Sequence, residues 1–378
     1  MIVNLSMKIL YCLPLLYNSG GIERIVTAKA NWFVEHGHEV VMALSDNKKR
    51  NPYFPLNPKI RIYELNVNYL DDMGCHPLKW HINQKKRKRL HKSALNDVIQ
   101  KENPDVAISV FAEESKFLYD IRHSCRKIIE FHFTRYHKVY SGRQGLRKML
   151  DRWRTFAAGR LVAKYDDFVV LTERDKQSWP QLDNIHVIPN FIVNKPEGIA
   201  ACKQKRVVAF GRLAHQKGFD RLVDIWQKVC YDFPDWRLDV YGSGEDEVSL
   251  TEYSESLIKN GSLVFHKPVT DVYREMQKSS IYVMSSRYEG FPMVLLEASS
   301  VGLPCISFDI DCGPSDIIED GKNGFLVPDG CVDVFAERLR KLMTDENLRI
   351  GMSREMKKVS EKFSSTAVMK EWERLIEG

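Results

Sequence analysis

The chain has 378 residues, 44% apolar and 28% charged, the composition of an ordinary globular protein and long enough for two packed cores. Its net charge of +6 is uneven: residues 1–195 hold 32 Lys and Arg against 20 Asp and Glu, and the remainder 24 against 30. The eight cysteines form no Cys-x-x-Cys pair, which leaves zinc improbable, and no apolar run reaches the eighteen or more residues of a membrane span.

The asymmetry of charge predicts that the basic first half meets a polyanion or an anionic membrane. The cysteines read as reduced, mostly buried thiols of a cytoplasmic protein. The opening "MIVNLSMKILYCLPLLY" has neither a basic leader nor a small-residue cleavage site, so no signal peptide is expected.

In chain order, "MKILYCLPL" (7–15) reads as a strand, "NSGG" as a turn, and "IERIVTAKANWFVEHG" as a helix with Ile22, Ile25, Val26, Ala30 and Phe33 at helical spacing. Strands follow at 38–45 and 59–65, a helix at 84–101, strands at 104–110 and 126–133, a basic helix at about 141–165, and strands at 166–172 and 184–190. Residues 193–206 are polar and without periodicity, and mark a linker. A second series of alternating strands and helices then runs to a helical tail. Alternation of this kind implies parallel sheets covered on both faces. The expected architecture is α/β, with two doubly wound Rossmann-like domains facing a central cleft. Residues 1–193 would form the first and 203–362 the second, with a helix at 363–378 crossing back to the first. Ligands of such sheets bind beyond the carboxyl ends of the strands.

Four segments place chemistry there. In "SSRYEGFPMVLLEASSVGLP" (285–304) a helix is expected to start at Pro292, leaving the amides of Met293, Val294 and Leu295 free to hold phosphate. Glu289 and Gly290 lie on the loop before it. Glu297 would project beside Met293 and Ser300, with Val294, Ala298 and Val301 as the buried stripe. A sugar nucleotide suits this arrangement, since carboxylates hold paired hydroxyls well. In "FGRLAHQKGFDRL" (210–222), Arg212 and Lys217 would clamp the diphosphate and neutralise the leaving group without metal. In "NSGGIERI" (18–25), Gly20 and Gly21 permit close backbone approach, but this is not the Gly-x-Gly-x-x-Gly fingerprint, so NAD is disfavoured. "EFHF" places His132 at a strand end, either near the reacting sugar or acceptor or as a structural histidine. The "DID" at 309–311 imitates a metal-binding pair in the wrong context, and no metal site is expected.

Taken together, "GGIE" (20–23), "FGRLAHQKGFD" (210–220), "SSRYEGFPMVLLEASSVGLPCISFD" (285–309), "GPSDIIEDGKNGFLVP" (313–328) and "VIPN" (187–190) resemble the family 4 glycosyltransferases of the GT-B fold. The resemblance spans almost the whole chain and is closest to the bacterial enzymes of capsule, exopolysaccharide, lipopolysaccharide or lipid-linked oligosaccharide synthesis. It implies retaining transfer of a hexose or N-acetylhexosamine from a nucleoside diphosphate sugar, commonly a UDP-sugar, with no cofactor and no metal. By motif position it implies that Arg212 and Lys217 hold the diphosphate, Glu289 the donor sugar and Glu297 the ribose. The segment Gly290, Phe291, Met293, Val294 and Leu295 would bind sugar and phosphate through its amides, with Gly20 and Gly21 approaching the phosphate. His132 matches the family's histidine through "EFH" alone. The helix at the end, "STAVMKEWERLIEG" (365–378), suits the crossing helix.

The acceptor is expected to be a glycan or lipid-linked sugar. "QKKRKRLHK" (84–92) carries six Lys and Arg, and residues 135–164 carry nine against one acid, Asp151. There Leu146, Leu150, Trp153 and Ala157 fall at helical spacing among cations. This suits a helix lying on an anionic membrane, with packing on the domain core as the alternative. The protein would then be cytoplasmic, or peripheral on the inner face of the cytoplasmic membrane. A non-catalytic sugar-nucleotide sensor on the same fold is a rival reading. A nucleic-acid glycosyltransferase is another, without any recognition-helix, RRM or zinc-finger signature; nucleic acid is not expected as a partner.

Overall fold

The computed structural model describes residues 6–378 apart from 73, 75, 137–144 and 195, and gives no side-chain placement for residues 77, 146–148 and 152. Expectations for Cys75, for the centre of the 135–164 tract, and for the side chains of Leu146, Arg147, Lys148 and Arg152 therefore lie outside the described residues. The chain forms two compact units, Met1–His132 with Leu150–Ile188 and Val368–Gly378, and Phe133–Met149 with Pro189–Ala367.

The first unit holds β1 (Lys8–Leu13), α1 (Gly21–Glu35), β2 (Glu39–Leu44), β3 (Arg61–Glu64), α2 (Pro77–Glu102), β4 (Val106–Ser109) and β5 (Arg126–Glu130). Most of α3 (Leu146–Val162), then β6 (Asp167–Val170), α4 (Glu173–Gln177) and β7 (Ile185–Val187) complete it. The seven strands are parallel in the order β3-β2-β1-β4-β5-β6-β7. β1, β2 and β4 are almost continuous runs of buried apolar residues, as strands covered on both faces must be. The crossovers through α2 and α3 advance the same way across the sheet. Right-handed connection therefore puts both helices on one face, where Leu95, Val98 and Ile99 of α2 share a core with Val162 of α3 and Ile129 and Phe168 of the sheet.

The second unit holds β8 (Arg206–Phe210), α5 (Phe219–Val229), β9 (Arg237–Tyr241), α6 (Glu247–Tyr253), α7 (Glu255–Lys259), β10 (Leu263–His266), α8 (Val272–Gln277), β11 (Ile281–Met284), α9 (Met293–Ser300), β12 (Cys305–Asp309), α10 (Pro314–Ile317), β13 (Gly324–Pro328), α11 (Val332–Thr344) and α12 (Glu346–Lys362). Its parallel sheet runs β10-β9-β8-β11-β12-β13. The last helix, α13 (Ser365–Glu377), belongs to the first unit from Val368 onward, where Val368, Met369, Trp372, Leu375 and Ile376 are buried. Two parallel-sheet α/β units with a returning terminal helix are thus the architecture that the alternation and the family resemblance implied.

Several local expectations differ. α2 begins at Pro77 rather than 84, because proline at a first helical position loses no bond. β5 stops at Glu130, so His132 follows the strand instead of ending it. The segment "EVSLTEYSESLIKNG" has the periodicity of one helix but forms two, α6 and α7, broken at buried Ser254, whose hydroxyl donates to the Leu250 carbonyl at 2.7 Å. Back-bonding of this kind competes with the helical ladder. Segment 193–206 is no free linker at its second half: Ala200 donates to the Val301 carbonyl at 2.8 Å, and Ala200 and Cys202 are buried.

On α3 the apolar stripe faces outward. Leu150, Trp153 and Phe156 are exposed, while Asp151, Thr155 and Val162 face inward.

Candidate functional site

Strand order in the second unit reverses between β8 and β11, so the loops after these two strands flank the switch point where doubly wound sheets open a crevice. Residues 211–218 and 285–292 are those loops, and several polar contacts fasten the second to the first and to the start of α5. Arg287 Nη1 donates to Asp220 Oδ1 at 2.8 Å, and Nη2 completes a two-point pair with the same carboxylate. Arg287 N donates to the Gln216 carbonyl at 2.8 Å, Gln216 Nε2 to the Tyr288 carbonyl at 3.0 Å, and Ser285 Oγ to the Lys217 carbonyl at 3.0 Å. The loops meet so closely at Gly218 (φ +62°) that a Cβ there would stand 2.3 Å from the Ser285 carbonyl oxygen. Only glycine satisfies both the conformation and the space.

This clamp presents the predicted charges. Lys217 Nζ lies 2.7 Å from Glu289 Oε1, which also accepts from Ser286 Oγ at 2.7 Å. Glu289 is buried and Lys217 half-buried. Arg212 is exposed, and its charge bears on the Tyr288 phenol beside Glu289, opposing the rise that burial gives that group. Glu297 is 3% exposed. Tyr282 on β11 lies near both glutamates: burial first, then Cys305 and the two carboxylates push its phenol well above the usual value. The second unit therefore brings Arg212, Lys217, Glu289 and Glu297 to one end of its sheet.

The helix after the turn departs from expectation. Pro292 caps α9 rather than opening it, and Leu295 N donates to the Pro292 carbonyl at 2.9 Å. Leu295 is therefore not a free donor for phosphate; the unbonded helix start belongs to Met293 and Val294. α9 is also buried nearly all round, with Val294 half-buried instead of part of a buried stripe. The Phe291 side chain is buried, its ring 5.7 Å from that of Phe363, so Gly290 and Phe291 offer backbone to a ligand.

Beside Glu289 lies a small cavity of about 110 Å³, with Thr134, Arg287, Asp309, Asp311 and Asp329 in its wall. The 309–313 loop reaches it by running against Pro292: Gly313 (φ +100°) could carry no Cβ without meeting the proline Cδ at 2.2 Å. Among the described residues, no group of three or more His, Cys, Asp or Glu is arranged to hold a metal ion.

In the first unit, the Gly20–Gly21 turn follows β1 and His132 follows β5, two strands separated by β4. They come near one another: Glu23, in the first turn of α1, has its carboxyl raised by burial while His132 opposes the rise. His132 Nε2 lies 3.3 Å from Glu130 Oε1.

Sequence reasoning missed two residues at the end of β4. Phe111 takes φ +62°, a strained value for an aromatic residue, and Glu114 is 1% exposed. Glu114 Oε1 accepts from Ser109 Oγ at 2.7 Å and Ala112 N at 3.2 Å, yet burial pushes its carboxyl up to about 7. Nothing in "VFAEESKF" distinguishes this glutamate from its half-buried neighbour Glu113 without knowledge of the sheet.

Comparison with known proteins identifies the family and the fold. Residues 19–193 match the family described as Glycosyltransferase Family 4, and residues 193–359 match Glycosyl transferases group 1. An uncharacterized glycosyltransferase of Haemophilus influenzae is 29% identical over 95% of this chain and 97% of its own. The amylovoran biosynthesis glycosyltransferase AmsD of Erwinia amylovora is 34% identical over 54% of this chain and 60% of its own. The lipopolysaccharide 1,6-galactosyltransferase of Escherichia coli is 33% identical over 43% and 47%. Among solved structures, a S. aureus TarM complex containing UDP superposes with a TM-score of 0.77 at 14% identity, over 98% of this chain and 100% of that one. The lipopolysaccharide outer core galactosyltransferase WaaB superposes with 0.72 at 19%, over 97% and 98%. At these identities the superpositions establish the fold, which is GT-B.

Proposed function

The chain belongs to the family 4 glycosyltransferases, and on that premise we propose that it transfers a hexose or N-acetylhexosamine, with retention and without metal, from a nucleoside diphosphate sugar, a UDP-sugar in the first instance, to a glycan or lipid-linked sugar of a bacterial surface polysaccharide. One observation carries the reading: Arg212 and the Lys217–Glu289 pair stand together at the switch point of the second sheet, on two loops bolted to each other. Cations so placed stabilise the charge that builds on a departing diphosphate. A preformed Lys–Glu pair also lets an incoming ligand divide it, the ammonium turning to phosphate and the carboxylate to sugar hydroxyls. Glu297 would take the ribose, and Gly20 and Gly21 would approach the phosphate. Relatives named for exopolysaccharide and lipopolysaccharide synthesis support the surface-polysaccharide role.

The acceptor side has its own support. On the helix-covered face of the first unit, α2 exposes Leu78, Trp80, Ile82 and Leu90 among exposed Lys79, Lys85, Lys86, Lys88 and Arg89. α3 exposes Leu150, Trp153 and Phe156 beside Arg154 and Arg160. Apolar and aromatic side chains ringed by cations suit the headgroup region of an anionic bilayer, and fit a lipid-linked acceptor. Among the described residues, no helix is long and apolar enough to cross a membrane.

The test is thermal stability against a panel of UDP-, GDP- and ADP-sugars, first in EDTA and then with Mg²⁺. A ligand selective for the folded state raises the melting temperature by mass action. A rise with one sugar nucleotide in EDTA is expected and names the donor; a rise only with Mg²⁺ overturns the metal-free clamp. Release of free nucleoside diphosphate then separates an enzyme from a sensor, which binds without turnover.

A further inference from the structure

At the end of β5, three charged or ionisable side chains are buried together. Lys29 of α1 and Glu130 have no exposed surface and form a direct ion pair. Glu130 is also 3.3 Å from His132 Nε2, an ion-pair separation without the alignment of a full hydrogen bond. Tyr11 of β1 stands near the same carboxylate, and Trp372 of α13 lies with its ring centroid 4.3 Å from Lys29 Nζ. Tyr11 Oη, Glu130 Oε2, His132 Nε2 and Trp372 Nε1 are all buried without a hydrogen-bond partner.

Such an arrangement is a poor way to gain stability. A buried ion pair roughly breaks even against apolar residues of the same volume, because both ions lose their hydration. Unsatisfied polar atoms beside it add cost. The pair does, however, fix an anion against one nitrogen of His132. Burial would raise the Glu130 carboxyl, but Lys29 and His132 outweigh it and hold the group at about 2, so it stays ionised at any working pH. An anion facing Nε2 favours the proton there and leaves Nδ1 of the neutral ring as an acceptor. A ring able to flip between tautomers would offer a sugar hydroxyl an acceptor only part of the time.

We propose that Glu130, secured by Lys29, is a positioning residue that fixes the orientation and tautomer of His132, so that Nδ1 accepts a hydroxyl of the donor sugar or acceptor. This rests on the reading of His132 as part of the transfer site. The charged groups set against the ring are Glu130 on its own segment and Glu23 from α1, while Lys29 of α1 and Tyr11 of β1 stand against Glu130 itself. Of these, Glu130 is the anion set against Nε2.

The experiment is histidine NMR on the full-length chain labelled with ¹⁵N-histidine, with the His132 signals assigned by their loss in His132→Ala. The wild-type ring is expected as the Nε2–H tautomer. Replacing Glu130 by Gln removes the anion set against Nε2, so the two tautomers mix. The Lys29→Met/Glu130→Gln double variant leaves no lone buried charge and keeps the test readable if Glu130→Gln folds poorly; it must show the same mixing of tautomers. An unchanged tautomer in the double variant overturns the proposal. Release of free nucleoside diphosphate is then read from the sugar nucleotide that stabilises the wild type. Full turnover by His132→Ala would sink the placement of His132 in the site while leaving the NMR result standing. If His132→Ala is impaired, the double variant should slow the wild type but not the His132→Ala background.

Discussion

Lys217 sits on a three-residue turn whose only exit is Gly218, and its ammonium has Glu289 as partner until a ligand arrives. Lys217→Ala should lower turnover about 10²–10³-fold, the usual loss when one preorganised charge is removed from a developing anion; steady-state release of nucleoside diphosphate measures it. Glu297→Ala should instead weaken donor affinity, read by calorimetric titration, because a ribose contact is the same in ground and transition states. Glu114 leads to a prediction about pH. Its carboxyl is raised to about 7 in the folded protein, so between about 4.5 and 7 the folded state holds a proton that the unfolded state has released. Its contribution is therefore greatest below 4.5 and falls as pH rises to 7, by about 3 kcal/mol at most. Glu114→Gln keeps an oxygen for Ser109 Oγ and Ala112 N, removes the charge, and should raise the melting temperature at pH 8 while flattening that slope. The charges of the clamp could be read from the sequence because each loop carries its own local cue, Arg212 and Lys217 beside Gly218 in one and Glu289 beside Pro292 in the other. Glu114 could not: its burial comes from the end of β4, and its pairing to Ser109 means nothing until the chain turns at Phe111.

At the scale of elements, alternation revealed both parallel sheets, since strands buried on two faces read as continuous apolar runs whatever their neighbours. Order within each sheet did not follow from that pattern, and order decides which two loops share the switch point. The contacts that fasten those loops, Arg287 to Asp220 and Gln216 to Tyr288, join positions 67 and 72 residues apart and have no local signature. Helix faces were legible only where one side meets water. The stripe read on α9 from Val294, Ala298 and Val301 does not set one face apart, because the helix is buried nearly all round and Val294 is only half-buried. α3 gave a stripe that faces outward, as a helix lying on a membrane requires, and its inward side is built from Asp151, Thr155 and Val162. That outward stripe makes a testable element. Trp153→Ser with Phe156→Ser removes exposed apolar surface without opening the core, so the melting temperature should stay within a degree or two. Co-sedimentation with vesicles containing phosphatidylglycerol should nevertheless fall several-fold, and neutral phosphatidylcholine vesicles should bind weakly before and after. Equal sedimentation of variant and wild type would place the acceptor surface elsewhere.

At the scale of the molecule, each unit has its own sheet and core, yet the chain assembles the first from three separate stretches, the last being residues 368–378. That stretch does more than cover a surface. Trp372 is fully buried with its ring against Lys29, Arg126 donates to the Leu375 carbonyl, and Glu373 lies 3.8 Å from His38. The first unit is thus incomplete until the final helix has been made, whereas nothing after Ala367 belongs to the second. Two units with separate cores need not melt together. Trp372→Ala should cost about 3–5 kcal/mol, the range for deleting a large buried aromatic side chain, and the whole of it should fall on one unit. Differential scanning calorimetry is expected to show one component moving to lower temperature while the other keeps its position. The sugar nucleotide that stabilises the wild type should still raise the unmoved component, because Arg212, Lys217, Glu289 and Glu297 all lie in the second unit. If both components fell together, the two units would share one cooperative transition. The terminal helix would then hold the whole molecule, and the donor site would depend on it as well.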